Sequence, residues 1–269
     1  MTPFTYYTII GRDPSLLEGH LKNVTDYAGF NKLECEKKLL VVIYKNDKIP
    51  DEVTKEILTV CDKYNADYVI YDEPDNNFLT NLYESWNLGY KHALDGFVFR
   101  GGSDQVFSKD SFLTLYKGIK INKDKKIVLQ ANTIENGERN MGSRHILAYL
   151  GNTFEDFKYD EFEKLIEEIN SNDELKKLDL VDIETALRVW NHPTSFQCQN
   201  GYVNRCDGCS WLMSKQEWQK YGPLPAVEDG HTGDVVIHDR MQRDGYQQFI
   251  VKNCVTYHFV RGESGGVTQ

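Results

Sequence analysis

Short apolar runs alternate with amphipathic stretches along the first hundred residues. The runs at 4–10, 38–44, 66–71 and 95–99 have strand length and are rich in β-branched and aromatic residues. The stretches between them begin near Leu16 or span 51–64 and 79–94, and they carry apolar residues at helical spacing. Strands that alternate with helices form parallel sheets. The pattern therefore predicts an α/β fold: a Rossmann-like, mostly parallel sheet with helices on both faces.

The later part of the chain shows the same kinds of pattern with less regular spacing. A strand is predicted at 126–131, helices at 159–170 and 181–190, and a glycine-led strand followed by a helix at 208–222. A helix that opens at Asp234 and a strand that starts at Val255 and ends in His258 complete the pattern. Ser15 and Ser214 are the expected N-caps of two of the helices.

Composition narrows the class of protein. The 269 residues contain 31 Lys and Arg against 41 Asp and Glu, a net charge of −10, which excludes an extended basic surface for nucleic acid. No apolar run reaches the roughly 18 to 20 residues of a membrane span, and residues 1–7 lack the basic and apolar regions of a signal peptide. Six cysteines in strand-like surroundings fit reduced thiols. A cytoplasmic protein is expected.

The stretch GGSDQVF, from Gly101 to Phe107, follows the fourth predicted strand directly. The carboxyl ends of parallel strands meet at one edge of a sheet, so this stretch should share a crevice with the loops at 11–12, 46–47 and 72–77. The glycine-rich phosphate-binding loops of P-loop and dinucleotide-binding proteins are absent. Gly, Ser and Asp are also typical of ordinary turns, so a turn capped by Asp104 is the alternative.

Several short motifs occur in a recognisable order. Residues 87–93 read N-x-G-x-x-x-A, Gly102-Ser103-Asp104 occupies a D-x-D position, and 108–112 is similar to a Pro-Asp-x-Leu helix start. Residues 233–246 are similar to an E-D-x5-R-x4-G-Y element in which Gly233 replaces the Glu. In these motifs the chain resembles the nucleotide-sugar glycosyltransferases of the GT-A fold, especially the large inverting family 2.

The resemblance implies roles for individual residues. Asp104 would contact a Mn²⁺ or Mg²⁺ ion that bridges the donor diphosphate, and His258 would complete the metal or diphosphate site. Asp234 would be the general base, with His238 and Asp239 as alternatives one turn away and a helix cap as the non-catalytic interpretation of Asp234. The donor would be contacted by a further set of residues: Ile10, Arg12 and Asn46 or Asp47 at the base and ribose, Arg100 at the diphosphate, Ser103 beside Asp104, and Arg261 or Ser264 at phosphate.

The resemblance also implies an organisation and a reaction. Residues 1–116 would bind the donor, 117–195 would be an insertion on the acceptor side, and 196–269 would be the acceptor and catalytic half of one compact domain. The donor is expected to be a UDP-sugar and the acceptor a saccharide or another hydroxyl compound. Two alternatives stay open: a sugar transferase acting on modified nucleic-acid bases, and a nucleotide-sugar binding module that lost catalysis when Gly102 and Gly233 replaced acids.

The sequence also contains residues that could form a structural Zn²⁺ site. His192, Cys198, Cys206 and Cys209 include one C-x-x-C and are residue types found in structural Zn²⁺ sites. A second C-x-x-C is missing, so inert thiols are the alternative.

Overall fold

The strands of the fold come from both ends of the chain. The computed structural model describes residues 1–72, 77–121, 125–135, 146–147, 150–171, 210–228 and 230–259. The strands are β1 (Phe4–Ile10), β2 (Lys37–Lys45), β3 (Asp67–Asp72), β4 (Phe97–Arg100), β5 (Gln105–Phe107), β6 (Ile127–Glu135), β7 (Ile146–Leu147), β8 (Trp211–Ser214), β9 (Val227–Glu228), β10 (His231–Thr232) and β11 (Gln247–His258). The helices are α1 (Pro14–Lys22), α2 (Asp51–Lys63), α3 (Phe78–His92), α4 (Ser111–Ile121), α5 (Tyr159–Ser171), α6 (Lys215–Tyr221) and α7 (Gly233–Arg243).

One large sheet runs through the described part of the chain in the order β3-β2-β1-β4-β8-β6-β11-β5. The first four strands are parallel, as the βα alternation predicts. β8 is antiparallel to β4 and to β6, and so joins the first half of the sheet to the second. β11 is parallel to β6. β5 pairs antiparallel with the C-terminal end of β11, at residues 256–258. The β8 and β5 pairings depart from a purely parallel sheet.

Alternation along the strands gives the sheet two apolar faces. Tyr6 and Val41 belong to one core, which α1, α2 and α4 cover, whereas Tyr7 and Val42 belong to the other, which α3 and α7 cover. At Gly89, α3 lies so close to β1 that a Cβ atom would be 2.2 Å from the Tyr7 ring. The glycine of the N-x-G-x-x-x-A motif is therefore a packing requirement.

Two local predictions are corrected. The cap of α1 is Asp13, whose carboxylate accepts hydrogen bonds from the Leu16 backbone and from the hydroxyl of Ser15, the predicted cap. Pro14 fills the first helical position, which places the cap one residue earlier than Ser15. The final strand begins before Val255, since β11 pairs with β6 from Gln247 onward, and a β-bulge shifts the register of this pairing between Val251 and Val255.

The helix predicted at 181–190 lies outside the described residues. Among the described residues, no helix has both the length and the apolar character needed to cross a membrane.

Candidate active site

The loop after β4 brings two glycines into close contact with side chains. A Cβ atom on Gly101 would lie 2.3 Å from the Tyr6 hydroxyl, and one on Gly102 would lie 2.6 Å from Asp104 Oδ1. The Gly102 amide donates to the side chain of Gln105 at 2.9 Å, which closes the turn. Gly101 is thus required by the position of the buried Tyr6 ring, whereas a side chain at Gly102 would displace the end of the Asp104 side chain.

Asp104 faces His258 across the pairing of β5 with β11. His258 Nε2 lies 3.1 Å from Asp104 Oδ2, and the Phe259 amide donates to the Asp104 carbonyl at 2.9 Å. The two side chains are 20% and 26% exposed, so both remain accessible to a ligand. Burial acts to raise the pKa of Asp104, but His258, hydrogen bonds and nearby His20 together hold this pKa below its ordinary value. An ionised carboxylate and an imidazole therefore converge at this edge of the sheet.

A buried pair of polar side chains, His20 and Tyr6, stabilises the loop that carries Asp104. His20 Nδ1 lies 2.9 Å from the Gln105 carbonyl, and His20 Nε2 lies 2.6 Å from the Tyr6 hydroxyl. Burial lowers the pKa of His20 to about 4, so the ring is neutral at pH 7. A carbonyl only accepts, so Nδ1 carries the proton and the Tyr6 hydroxyl donates to Nε2. The sequence alone does not indicate this role of His20, because one of its partners, Gln105, lies 85 residues away in the chain.

Asp234 lies in the first turn of α7 and is 6% exposed. The Tyr83 hydroxyl donates to Asp234 Oδ1 at 2.6 Å. Thr232 occupies the N-cap position, so the interpretation of Asp234 as the helix cap is wrong. At Gly233 a Cβ atom would lie 2.2 Å from the Pro225 carbonyl and 2.9 Å from the Tyr83 ring. This packing explains why the E-D element has no acid at its first position.

The two alternatives to Asp234, His238 and Asp239, are buried as well. The ring of His238 packs on Trp211 with centroids 4.1 Å apart, and burial, aided by Arg100, holds the pKa of His238 well below its ordinary value. Asp239 is buried, at 8% exposure. Asp234, with its carboxylate oriented by Tyr83, has the clearest geometry for proton transfer among the three.

Arg100 ends β4 and is completely buried. Its guanidinium carbon lies 3.7 Å from the ring centroid of Trp86 and 4.7 Å from that of Trp211. Both rings belong to the core covered by α3 and α7, which is also the face on which Tyr83 holds Asp234. Arg100 and Asp234 therefore share a side of the sheet, whereas the hydrogen-bonding partner of Asp104 is His258.

The other predicted donor residues lie at the ends of neighbouring strands. β1 and β2 pair in parallel up to Ile10 and Ile43, so the loops with Arg12 and with 46–47 leave adjacent strands on one edge. Ile10 is packed in the core, Arg12 is exposed, and Asn46 accepts a hydrogen bond from the Lys48 amide within a turn. Ser103 is buried beside Asp104. Their contact with a donor stays a prediction.

Some predicted residues fall outside the described part of the chain. These are Arg261 and Ser264 near the end, and the four residues of the zinc hypothesis, His192, Cys198, Cys206 and Cys209. Among the described residues, no cluster of three or more His, Cys, Asp or Glu side chains could hold a metal. Asp104 and His258 could therefore hold an ion only together with ligands from a bound substrate and water, as Mg²⁺ and Mn²⁺ commonly allow.

Comparisons with known proteins find likeness in structure alone. No family model matches the chain, and no curated protein matches it. The mannosyltransferase PcManGT from Pyrobaculum calidifontis, solved with GDP-Man and Mn²⁺, is 12% identical with a TM-score of 0.56, over 97% of this chain and 58% of its own. TarS of S. aureus is 12% identical with a TM-score of 0.57, over 98% and 37% of the two chains.

A third solved structure, GalNAc-T7 with UDP, GalNAc and Mn²⁺, is 11% identical with a TM-score of 0.60, over all of this chain and 45% of its own. The chain thus spans between about a third and three fifths of these solved chains. Together they confirm the predicted GT-A fold of nucleotide-sugar glycosyltransferases. At this identity they do not distinguish the inverting family 2 from other families that share the fold.

Proposed function

We propose that this chain is a glycosyltransferase that moves a sugar from a nucleotide diphosphate donor to a hydroxyl acceptor, with inversion and with Mn²⁺ or Mg²⁺. The observation that carries the proposal is the pairing of Asp104 with His258 at 3.1 Å, directly after the fourth strand of a GT-A sheet. Two of the similar solved structures hold a nucleotide or a nucleotide sugar together with Mn²⁺, which supports the same class of ligand.

Asp104 and His258 fit a divalent cation by their chemistry. A carboxylate oxygen and an imidazole nitrogen suit Mn²⁺, and the low pKa of Asp104 keeps the carboxylate ionised. The bound ion would neutralise charge that develops on the leaving diphosphate. Asp104 and His258 would each supply one ligand atom to the ion. The hydrogen bonds of His20 to Tyr6 and to the Gln105 carbonyl hold the loop that carries Asp104.

Asp234 would accept the proton of the acceptor hydroxyl. An inverting transfer needs such a base on the side of the sugar opposite to the leaving group. The hydrogen bond from Tyr83 at 2.6 Å fixes one carboxylate oxygen, and the other would accept the proton of the acceptor hydroxyl. Burial and the neighbouring carboxylate raise the pKa of Tyr83, so its hydroxyl remains a donor at neutral pH.

Isothermal titration calorimetry with UDP- and GDP-sugars, with and without Mn²⁺, tests the proposal. We expect Mn²⁺-dependent binding of one donor class, and transfer or slow donor hydrolysis by the native chain. Asp234→Ala should keep donor affinity but lose at least about 100-fold in transfer, the usual effect of losing a general base. Native transfer by Asp234→Ala would overturn the assignment of the base.

A binding module without catalysis is the second candidate. The packing around Gly233 leaves no room for an acid there, and Gly102 leaves only one carboxylate in the D-x-D position. Donor binding with neither transfer to any acceptor nor hydrolysis would favour this candidate. Transfer to nucleic-acid bases is disfavoured because the net charge of −10 gives little attraction to a phosphate backbone.

A further inference from the structure

A buried cation lies on the face of the sheet that carries Asp234. Arg100 is completely buried, and within the described residues none of its three guanidinium nitrogens has a hydrogen-bond partner. The Trp86 and Trp211 rings contact the guanidinium and offset part of the cost of burying its charge. Rings accept no conventional hydrogen bond, so the five N–H donors of this group still need an acceptor.

A second unpaired donor belongs to one of the rings that contact the guanidinium. The indole N–H of Trp211 is also buried without a hydrogen-bond partner among the described residues. Buried donors are almost always paired in native proteins, so these donors, which have no acceptor among the described residues, indicate a bound group.

The chemistry of the missing group follows from the donors. A guanidinium presents parallel N–H groups that match the two oxygens of a carboxylate or a phosphate. An indole N–H adds a donor to the same kind of oxygen-rich anion. Water alone would supply acceptors but would leave the positive charge uncompensated in an apolar surrounding.

The position of Arg100 assigns the anion to one substrate. Tyr83, which holds Asp234 at 2.6 Å, has its ring centroid 4.9 Å from that of Trp86. Two side chains, Tyr83 and Trp86, therefore connect Asp234 to Arg100, whereas the side chain of Asp104 is hydrogen-bonded to His258. A group bound at Arg100 would belong to the compound that Asp234 deprotonates.

We propose that Arg100, with Trp211, binds an oxyanion group of the acceptor, so that the acceptor is a phosphate- or carboxylate-bearing hydroxyl compound. The identification of the bound compound as the acceptor rests on the proposed function, whereas the anion site at Arg100 is inferred independently of it. Arg100 is covered in this structure, so the anion enters through a local opening and equilibrium binding is the quantity to measure.

The test uses inorganic phosphate and acetate as probes, without donor or metal. Each is titrated at constant ionic strength with chloride as the balancing anion, and binding is followed by tryptophan fluorescence and by thermal shift. We expect saturable binding by the native chain and by Arg243→Met, which removes an exposed arginine from α7. Arg100→Met should abolish saturable binding of the anion. Arg100→Lys keeps the positive charge but lacks the parallel N–H groups of the guanidinium, and it should weaken binding at least tenfold.

The outcomes separate the alternatives. Binding of phosphate alone indicates a phosphate-bearing acceptor, and binding of both probes indicates a general oxyanion site. Absence of saturation in the native chain, or equal saturation in a folded Arg100→Lys variant, would overturn the proposal and leave Arg100 a structural residue. Competition by nucleoside diphosphate with Mn²⁺ would place the anion with the donor and overturn its assignment to the acceptor. Failure of transfer in the calorimetry and turnover assays would affect only the proposed function.

Discussion

Asp104→Asn tests the metal assignment with the smallest change of shape. The substitution removes one negative charge and keeps a similar side chain at the end of the loop. At a ligand distance of about 2.1 Å, the attraction between a carboxylate oxygen and a divalent ion is about 4 kcal/mol even with the dielectric of water. The amide oxygen or a water recovers part of this, and a remaining loss of about 2.7 kcal/mol corresponds to about 100-fold weaker ion binding.

The assay is a titration of Mn²⁺ into protein saturated with UDP or GDP, in which the electron paramagnetic resonance signal reports free Mn²⁺. Asp110→Asn is the matched control, since it removes the same charge from a carboxylate that contacts Lys32 at the surface. It should bind Mn²⁺ as the native chain does. If Asp104→Asn also bound Mn²⁺ within twofold of the native affinity, the reasoning about the Asp104 and His258 pair would be refuted.

Three further changes test other parts of the site. Tyr83→Phe removes the buried hydrogen bond to Asp234, which contributes about 1.5–3 kcal/mol when the partner is charged. Transfer should therefore fall roughly 10- to 100-fold, while donor affinity measured by calorimetry stays unchanged. Unaltered transfer would contradict an orienting role of Tyr83. Gly233→Glu restores the acid of the E-D element but overlaps the Pro225 carbonyl, so its melting temperature should be several degrees lower, and native stability would disprove the packing argument. The folded pKa of His20, about 4, is below the ordinary 6.5, so the unfolded chain binds more protons and the free energy of unfolding falls as the pH drops from about 6.5 to 4. His20→Gln should lack this contribution of roughly 3 kcal/mol in urea unfolding, and an identical pH dependence would contradict it.

The sequence predicts the first four strands and their helices because local patterns determine them. The runs at 4–10 and 38–44 are apolar over strand length, and the helices between them show one apolar face. The crevice at the carboxyl ends follows from parallel pairing alone. The closeness of Asp104 and His258, 154 residues apart, was implied only by the resemblance and could not be derived from spacing.

The remaining contacts depend on the strand order, which local patterns do not determine. Trp211 comes to lie against Arg100 because β8 runs antiparallel beside β4, with these two residues directly opposite each other. Tyr83 meets Asp234 only because α3 and α7 cover the same face of the sheet. Until that order is known, Arg100 is one more polar residue at a strand end, and its contact with the donor diphosphate, which the resemblance implies, stays a prediction.

The late arrival of β8 has a consequence for synthesis on the ribosome. β4 emerges early, but the strand that pairs with its free side begins at Trp211, more than a hundred residues later. Through that interval a nascent chain that has formed β1 to β4 exposes an unpaired apolar edge, the kind of surface that recruits other strands. Fragments that end before Trp211 should therefore aggregate or need chaperones, and co-expression of the missing strand region should relieve them.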